Sequence, residues 1–557
     1  MPHWTRLVAE KKQRQLQSIP QEWLISELPP DSTLDVTGFP ETCGLLNARD
    51  IEITNTLTDV LLEKLASGEW TAVDVTTAFY KRAIVAHQLV NCLTEIFVDR
   101  ALARAAELDD YLKRTGKVVG PLHGLPISLK DQLCIKGLET TIGYVSWIGQ
   151  YAEKNAVLVD ILLECGAVPF VRTNVPQTLM WGETLNNIFG RTTNPYNRSL
   201  TPSGSSGGEG ALIALKGSPL GVGSDLGGSV RGPAAMCGLH GLRPSYGRVP
   251  YCGALNSLEG QDSLPSVFGP MTSSIGGVEA FMKAVVNAKP WLKDPLAVRK
   301  KWDEDEYNLV DHGYGKDLCF GIMWDDGVVL PHPPIRRALE MAKAALEKAG
   351  HKVVNWKPIK HGLLSDVAMA IFNAGAAEDL MIVTSATGEP IISSMDSDNP
   401  VIPPYRPKGG GSTAYQLWQT QKLRIDTRKE YLDHWEATVS ETGTGRPVDA
   451  ILCPAAAYVA HPHGLGSYAN YTMVWNALDY PATVFPVTTV DPTLDAKTSP
   501  HEFYGDFDKS IYEMYDDPET FKNAPVCLQL VGRTLEEEAV IKMTEIVGAA
   551  LESAKLA

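Results

Sequence analysis

Residues 203–232 read SGSSGGEGALIALKGSPLGVGSDLGGSVRG, two serine- and glycine-rich clusters on either side of an apolar stretch. A serine hydroxyl attacks a carbonyl when a base takes its proton, and the oxyanion that forms needs backbone N–H donors turned toward one point. Both clusters supply serine and glycine, and neither contains a histidine. A flexible linker is a poor account of them, because linkers do not alternate with core-forming runs such as ALIALKGSPLGVG. A Walker loop requires a G-K-[ST] triplet that does not follow the right glycine here. The dinucleotide pattern fails too: counted from Gly221 and Gly223, its third glycine falls on Leu226. Gly204-Ser205-Ser206-Gly207-Gly208 matches the hydrolase elbow G-x-S-x-G with Ser206 as nucleophile. Such a short pattern arises easily in a serine- and glycine-rich stretch. The downstream histidines His461, His463 and His501 sit in no recognisable context. The residues alone leave the choice of serine open.

These clusters need a scaffold. The run 57–68 has helical apolar spacing and stops at Gly68. Thr71 and Asp74 have the form of a capping box opening a helix to about Leu89, and VDRALARAAELDDYLKRTG is a further helix ending at Gly116. From Pro121 the pattern changes. LPISLKD reads as a strand, NAVLVDILLECG (155–166) as a helix and AVPFVRT as a strand. DLCFGIMW, HKVVNW, VDAILCPA, ATVFPVTTV and VCLQLVG are further strands. IRRALEMAKAALEKAG lies among them as a helix, and TLEEEAVIKMTEIVGAALE closes the chain as another. This alternation predicts an α/β fold with a large mixed, mostly parallel sheet covered by helices on both faces. Residues 1–70 read as a helical and irregular extension, and 71–557 as the catalytic domain. Irregular insertions fall at about 385–412 and 491–523, each equally readable as a lid or entrance wall and as a plain surface insertion.

The net charge of −16 argues against a general nucleic-acid or anionic-membrane binder. No run reaches the roughly 18 apolar residues of a membrane-spanning helix. The N-terminal MPHWTRLVAEKKQRQLQSIPQEW lacks the apolar core of a secretory signal. Nine scattered cysteines without a CxxC pair read as reduced, mostly buried thiols, so a cytoplasmic location is expected. No metal or cofactor is expected, since neither HExxH nor paired Cys/His spacing occurs.

Taken together, PLHGLPISLKD (121–131), the 203–232 stretch and GPAAMCGLHGLRPSYGRVP (232–250) resemble the amidase signature family over about residues 70 to 545. GPLHGLPISLKD, TNVPQTLM, YTMVWNALDYPA and APVCLQLVGR are similar to its fungal acetamidase-like branch. The resemblance implies a triad of Ser229 as nucleophile, Ser205 as relay and Lys130 as base, with a cis peptide bond between Gly204 and Ser205. A free lysine titrates near 10.4, but burial at the end of an apolar strand lowers that value. Asp131 would oppose this if it pointed inward and is expected to face elsewhere or to cap a helix. The amides of Leu226, Gly227, Gly228 and Ser229 are the expected oxyanion hole, at the start of a helix SVRGPAAMCG. Ser206, Asp225 and Arg231 are expected to support the loop, the last two through an ion pair or backbone hydrogen bonds. Two residues depart from the common family pattern: Ser203 replaces a glycine and Ser224 a frequent threonine.

By the same resemblance, Leu179, Met180 and Trp181 lie near the acyl pocket, although core positions suit them equally. Trp475 is a weaker candidate for the other wall, with Tyr471 and Asp479. The implied substrate is a small aliphatic or aromatic amide, cleaved to the acid plus ammonia or an amine through an acyl-enzyme. Fatty acid amides and aryl anilides or carbamates are the alternative on the same core. A non-catalytic or amidotransferase-type subunit is a more distant one. A homodimer through the N-terminal helices is a further expectation from relatives, but amphipathic spacing does not separate a dimer face from an intramolecular one.

Overall fold

The fold is described from a computed structural model covering residues 3–392, 411–466 and 468–556. Eleven strands form one sheet. In chain order they are β1 (Leu93–Ile96), β2 (Pro126–Lys130), β3 (Val168–Thr173), β4 (Leu220–Asp225), β5 (His240–Arg243), β6 (Val267–Thr272), β7 (Cys319–Ile322), β8 (Lys352–Asn355), β9 (Ala450–Pro454), β10 (Ala482–Thr489) and β11 (Pro525–Val531). Across the sheet the order is β1-β3-β2-β4-β6-β5-β10-β11-β9-β7-β8. A separate two-stranded hairpin joins Leu185–Asn186 to Gly190–Arg191.

The α/β class and the large mixed sheet are as read from the sequence. Parallel pairing is more restricted than expected: β3–β2, β2–β4, β9–β7 and β7–β8 are parallel, and the six other neighbouring pairs are antiparallel. The reason is physical. β2, β3, β4 and β11 are buried along their whole length, so each reads as a continuous apolar run whichever way its neighbour points.

Helices pack on the sheet around two large apolar clusters. The helix Ala72–Val90 begins where Thr71 accepts a hydrogen bond from the Asp74 amide, at 3.0 Å. The first helix, His3–Gln17, lies against the outer strand β1: Gln15 Nε2 donates to the Leu93 carbonyl at 2.8 Å, and Lys11 is ion-paired with Glu95 and Glu139. The 491–523 segment contains a helix, Asp506–Met514. Of the 385–412 segment, residues 393–410 lie outside the described residues. No single helix among the described residues is long and apolar enough to cross a membrane.

β2 and β4 are adjacent and parallel, so their C-terminal residues, Lys130 and Asp225, emerge at the same edge of the sheet. The chain reaches β4 through the helix Gly207–Ala214, which starts directly after Ser205 and Ser206. This helix-and-strand hairpin brings the two serine–glycine clusters together beside Lys130. Loops at the carboxyl ends of parallel strands are where α/β folds place their sites.

Candidate active site

Lys130 is fully buried, and its Nζ donates to Ser205 Oγ at 2.6 Å and to Ser224 Oγ at 2.8 Å. Burial disfavours its ammonium form and lowers its pKa to about 7, against the opposing pull of Asp225 and Glu209. Asp131 faces away, as expected: it accepts from Thr141 Oγ1 at 2.8 Å and lies 3.5 Å from Arg172. The Gly204–Ser205 peptide is cis. Ser206 is fully buried and links the two clusters. Its amide donates to the Ser229 carbonyl at 3.3 Å, and its Oγ accepts from the Ser224 amide at 3.3 Å. Unlike Ser206, Ser229 is partly exposed and lines a cavity of about 830 Å³.

The loop that carries Ser229 is held from beneath by Asp225. Its carboxylate accepts from the amides of Gly228 (2.9 Å), Val230 (3.2 Å) and Arg231 (3.4 Å), and from Asn476 Nδ2 at 2.8 Å. Arg231 closes on it in bidentate fashion, with Nε and Nη2 each at 3.0 Å. Burial alone would raise the Asp225 pKa, but the Arg231 guanidinium and these donors hold it well below the usual carboxylate range. Arg231 also donates to the Thr472 carbonyl at 2.9 Å, and Thr472 Oγ1 donates to the Gly227 carbonyl at 2.7 Å. Loop and helix Asn470–Leu478 are thus fastened at both ends.

One part of the expected oxyanion hole differs. The Gly228 amide is engaged by Asp225, and Gly228 has φ +132°. That left-handed backbone turns the Gly228 peptide toward the carboxylate. The amides of Leu226, Gly227 and Ser229 have no acceptor among the described residues.

Leu179, Met180 and Trp181 all line the cavity. Trp475 does not. It is fully buried, packing edge-on against His361 at 5.5 Å and Tyr431 at 6.1 Å. Tyr471 is buried as well, its hydroxyl donating to the Val329 carbonyl at 2.6 Å. Asp479 accepts from Arg243 at 2.8 Å, beyond the helix end. The same helix presents Thr472 and Met473 to the cavity instead. The resemblance pointed to the wrong phase of a helix buried on every side. Phe372, Phe507 and Met514 complete the apolar walls and were not singled out from sequence. The only hint was the irregular 491–523 segment, which supplies Phe507 and Met514.

The histidines do not join the serines. His461 Nδ1 donates to the Pro462 carbonyl at 2.8 Å, His463 Nδ1 lies 3.5 Å from Glu183, and His501 Nε2 donates to Asp508 at 2.8 Å. No group of three His, Cys, Asp or Glu side chains suited to a metal occurs among the described residues.

The chain belongs to the amidase family, whose sequence profile matches residues 74–541. It is an amide hydrolase, similar to the acetamidase of Aspergillus oryzae (44% identity over 98% of both chains) and to that of Emericella nidulans (43%, again 98% of both). A solved structure of a fatty acid amide hydrolase superposes with a TM-score of 0.90 at 35% identity, covering 98% of this chain and 95% of that one. The peptide amidase of Stenotrophomonas maltophilia, at 21% identity and a TM-score of 0.66 (89% of this chain, 97% of that one), shares the fold.

Proposed function

We propose that the chain hydrolyses a carboxylic acid amide through a Ser229–Ser205–Lys130 relay. The observation that carries this reading is the 2.6 Å bond between Lys130 Nζ and Ser205 Oγ, in a site that brings Lys130 to a pKa of about 7. As a neutral amine, Lys130 accepts the Ser205 proton while Ser205 takes the proton of Ser229. Ser229 Oγ then bonds to the amide carbon, and the oxyanion is met by the unengaged amides of Leu226, Gly227 and Ser229. The proton returns by the same route to the leaving nitrogen, and ammonia or an amine departs. Water enters by the reverse relay, and the acid is released. Ser206, buried and bonded to β4, supports the relay and does not attack.

For the substrate, likeness to two acetamidases along the whole chain favours a small aliphatic or aromatic amide. A second reading rests on the cavity: about 830 Å³ of largely apolar space suits a larger acyl or aryl group as well. The test is a panel from acetamide and benzamide to oleamide and anilides, with ammonia or amine release measured for the purified chain and for Ser229→Ala. Turnover of the small primary amides, lost in the variant, is expected. Turnover confined to oleamide and anilides would replace the first substrate class by the second, and a fully active Ser229→Ala would refute the relay.

A further inference from the structure

The relay leaves one ionisable group near Lys130 unused. Glu209, on the helix Gly207–Ala214, is fully buried and does not line the cavity. Its Oε2 accepts from Ser128 Oγ at 2.5 Å and its Oε1 from Thr173 Oγ1 at 2.8 Å. Both donors belong to the immediate surroundings of Lys130. Ser128 precedes it by two residues on β2 and so shares its face of the strand, and Thr173 is its register partner on β3. The neighbouring strand makes room for this carboxyl, since a Cβ on Gly221 would stand 1.9 Å from Glu209 Oε2.

A buried carboxyl is costly unless it is paired. Glu209 has no cation within ion-pair distance among the described residues. The charges that act on Lys130 are Asp225 from β4 and Glu209 from the helix, and its contacts are the hydroxyls of Ser205 and Ser224. Asp225 is already neutralised by the bidentate Arg231. Facing Glu209 are Ser128, Thr173, Lys130 and the Cys92 thiol. Glu209 is therefore the carboxyl left without a counter-charge of its own.

We propose that Glu209 is a positioning residue for the base: its carboxylate stabilises the Lys130 ammonium that forms when the Ser229 proton arrives through Ser205. Glu209 forms and breaks no covalent bond, and the proton stays on Lys130 Nζ until the leaving nitrogen takes it. The electrostatics agree with this placement. Burial raises the Glu209 pKa to about 7, moderated by its two hydroxyl donors and Lys130, the same range in which Lys130 titrates. Each charge favours the other's ionised form: Glu209 raises the Lys130 pKa and Lys130 lowers that of Glu209.

The proposal rests on Lys130 being the base, so its test includes Lys130→Ala. The pH–rate profile of ammonia release from acetamide and benzamide is measured for the wild type, Glu209→Gln, Glu209→Asp and Lys130→Ala. Removing an anion makes the ammonium less favourable. The acid limb of Glu209→Gln should therefore move to lower pH by about one unit, with kcat falling about tenfold or more and KM little changed. Glu209→Asp keeps the charge and should restore part of the limb's position. An unmoved or upward-shifted limb in Glu209→Gln, together with an inactive Lys130→Ala, overturns the role of Glu209 alone. An active Lys130→Ala overturns the relay on which it rests.

Discussion

In the proposed relay Lys130 serves as the base, and its position suits it to that part: it is the last residue of a fully buried strand, with hydroxyls rather than carboxylates against its amine. Its pKa of about 7 fixes the sign of the pH dependence. Below that value the amine is protonated and cannot accept a proton, so kcat/KM should fall about tenfold per unit as the pH drops through and below 7. Initial rates between pH 5 and 9 check this, and a flat profile would contradict it. At Ser206 the expectation is milder. Its hydroxyl is engaged with β4, so Ser206→Ala should lower kcat by about tenfold, whereas Ser229→Ala should lower it by about a thousandfold or more. The residues alone left the choice of serine open; the long motifs shared with the amidase signature family pointed to Lys130 and Ser205, which stand within hydrogen-bond distance, and to Ser229, which lines the cavity. Trp475 was misplaced because a helix buried on all sides offers no polar face to show which residues meet a cavity.

The loop Asp225–Arg231 is the element on which the site depends. Six donors converge on one carboxylate, and the backbone at Gly228 bends where a side chain has no room: a Cβ there would stand 2.2 Å from Thr472 Oγ1. Gly228→Ala should therefore displace Ser229 and reduce kcat by about a hundredfold or more, measured beside an unfolding curve that shows the chain still folds. Asp225→Asn leaves the Arg231 guanidinium buried without its counter-charge. It should cost about 3–5 kcal/mol in urea unfolding. Glycine density was readable as backbone shape rather than flexibility, but the carboxylate's hold on the Gly228 amide was not, because a sequence does not show which way a peptide faces. Strands β1, β5 and β6 were missed for a related reason. β1 (LTEI) and β5 (HGLR) carry too few apolar residues to form a run, and β6 carries Gly269 and Pro270, which break its own.

At the scale of the molecule, the N-terminal helix is part of the folded body. Lys11 is buried between Glu95 on β1 and Glu139, so Lys11→Met leaves Glu95 without an ion-pair partner and Glu139 with Arg14 alone. The variant should lose about 3 kcal/mol of stability in urea unfolding at pH 7 while the kcat of the folded fraction stays within about twofold. The helix itself was legible as a segment, but its docking on β1 was not, since tertiary ion pairs leave no periodic trace in a sequence. Sheet, loop and helix converge on one hydroxyl. The most direct test of that convergence is to label the chain with a fluorophosphonate probe and locate the adduct by peptide mass spectrometry. A single adduct on Ser229, lost in Ser229→Ala, is the predicted result; an adduct on Ser206 or Ser205 that persists in Ser229→Ala would contradict the account.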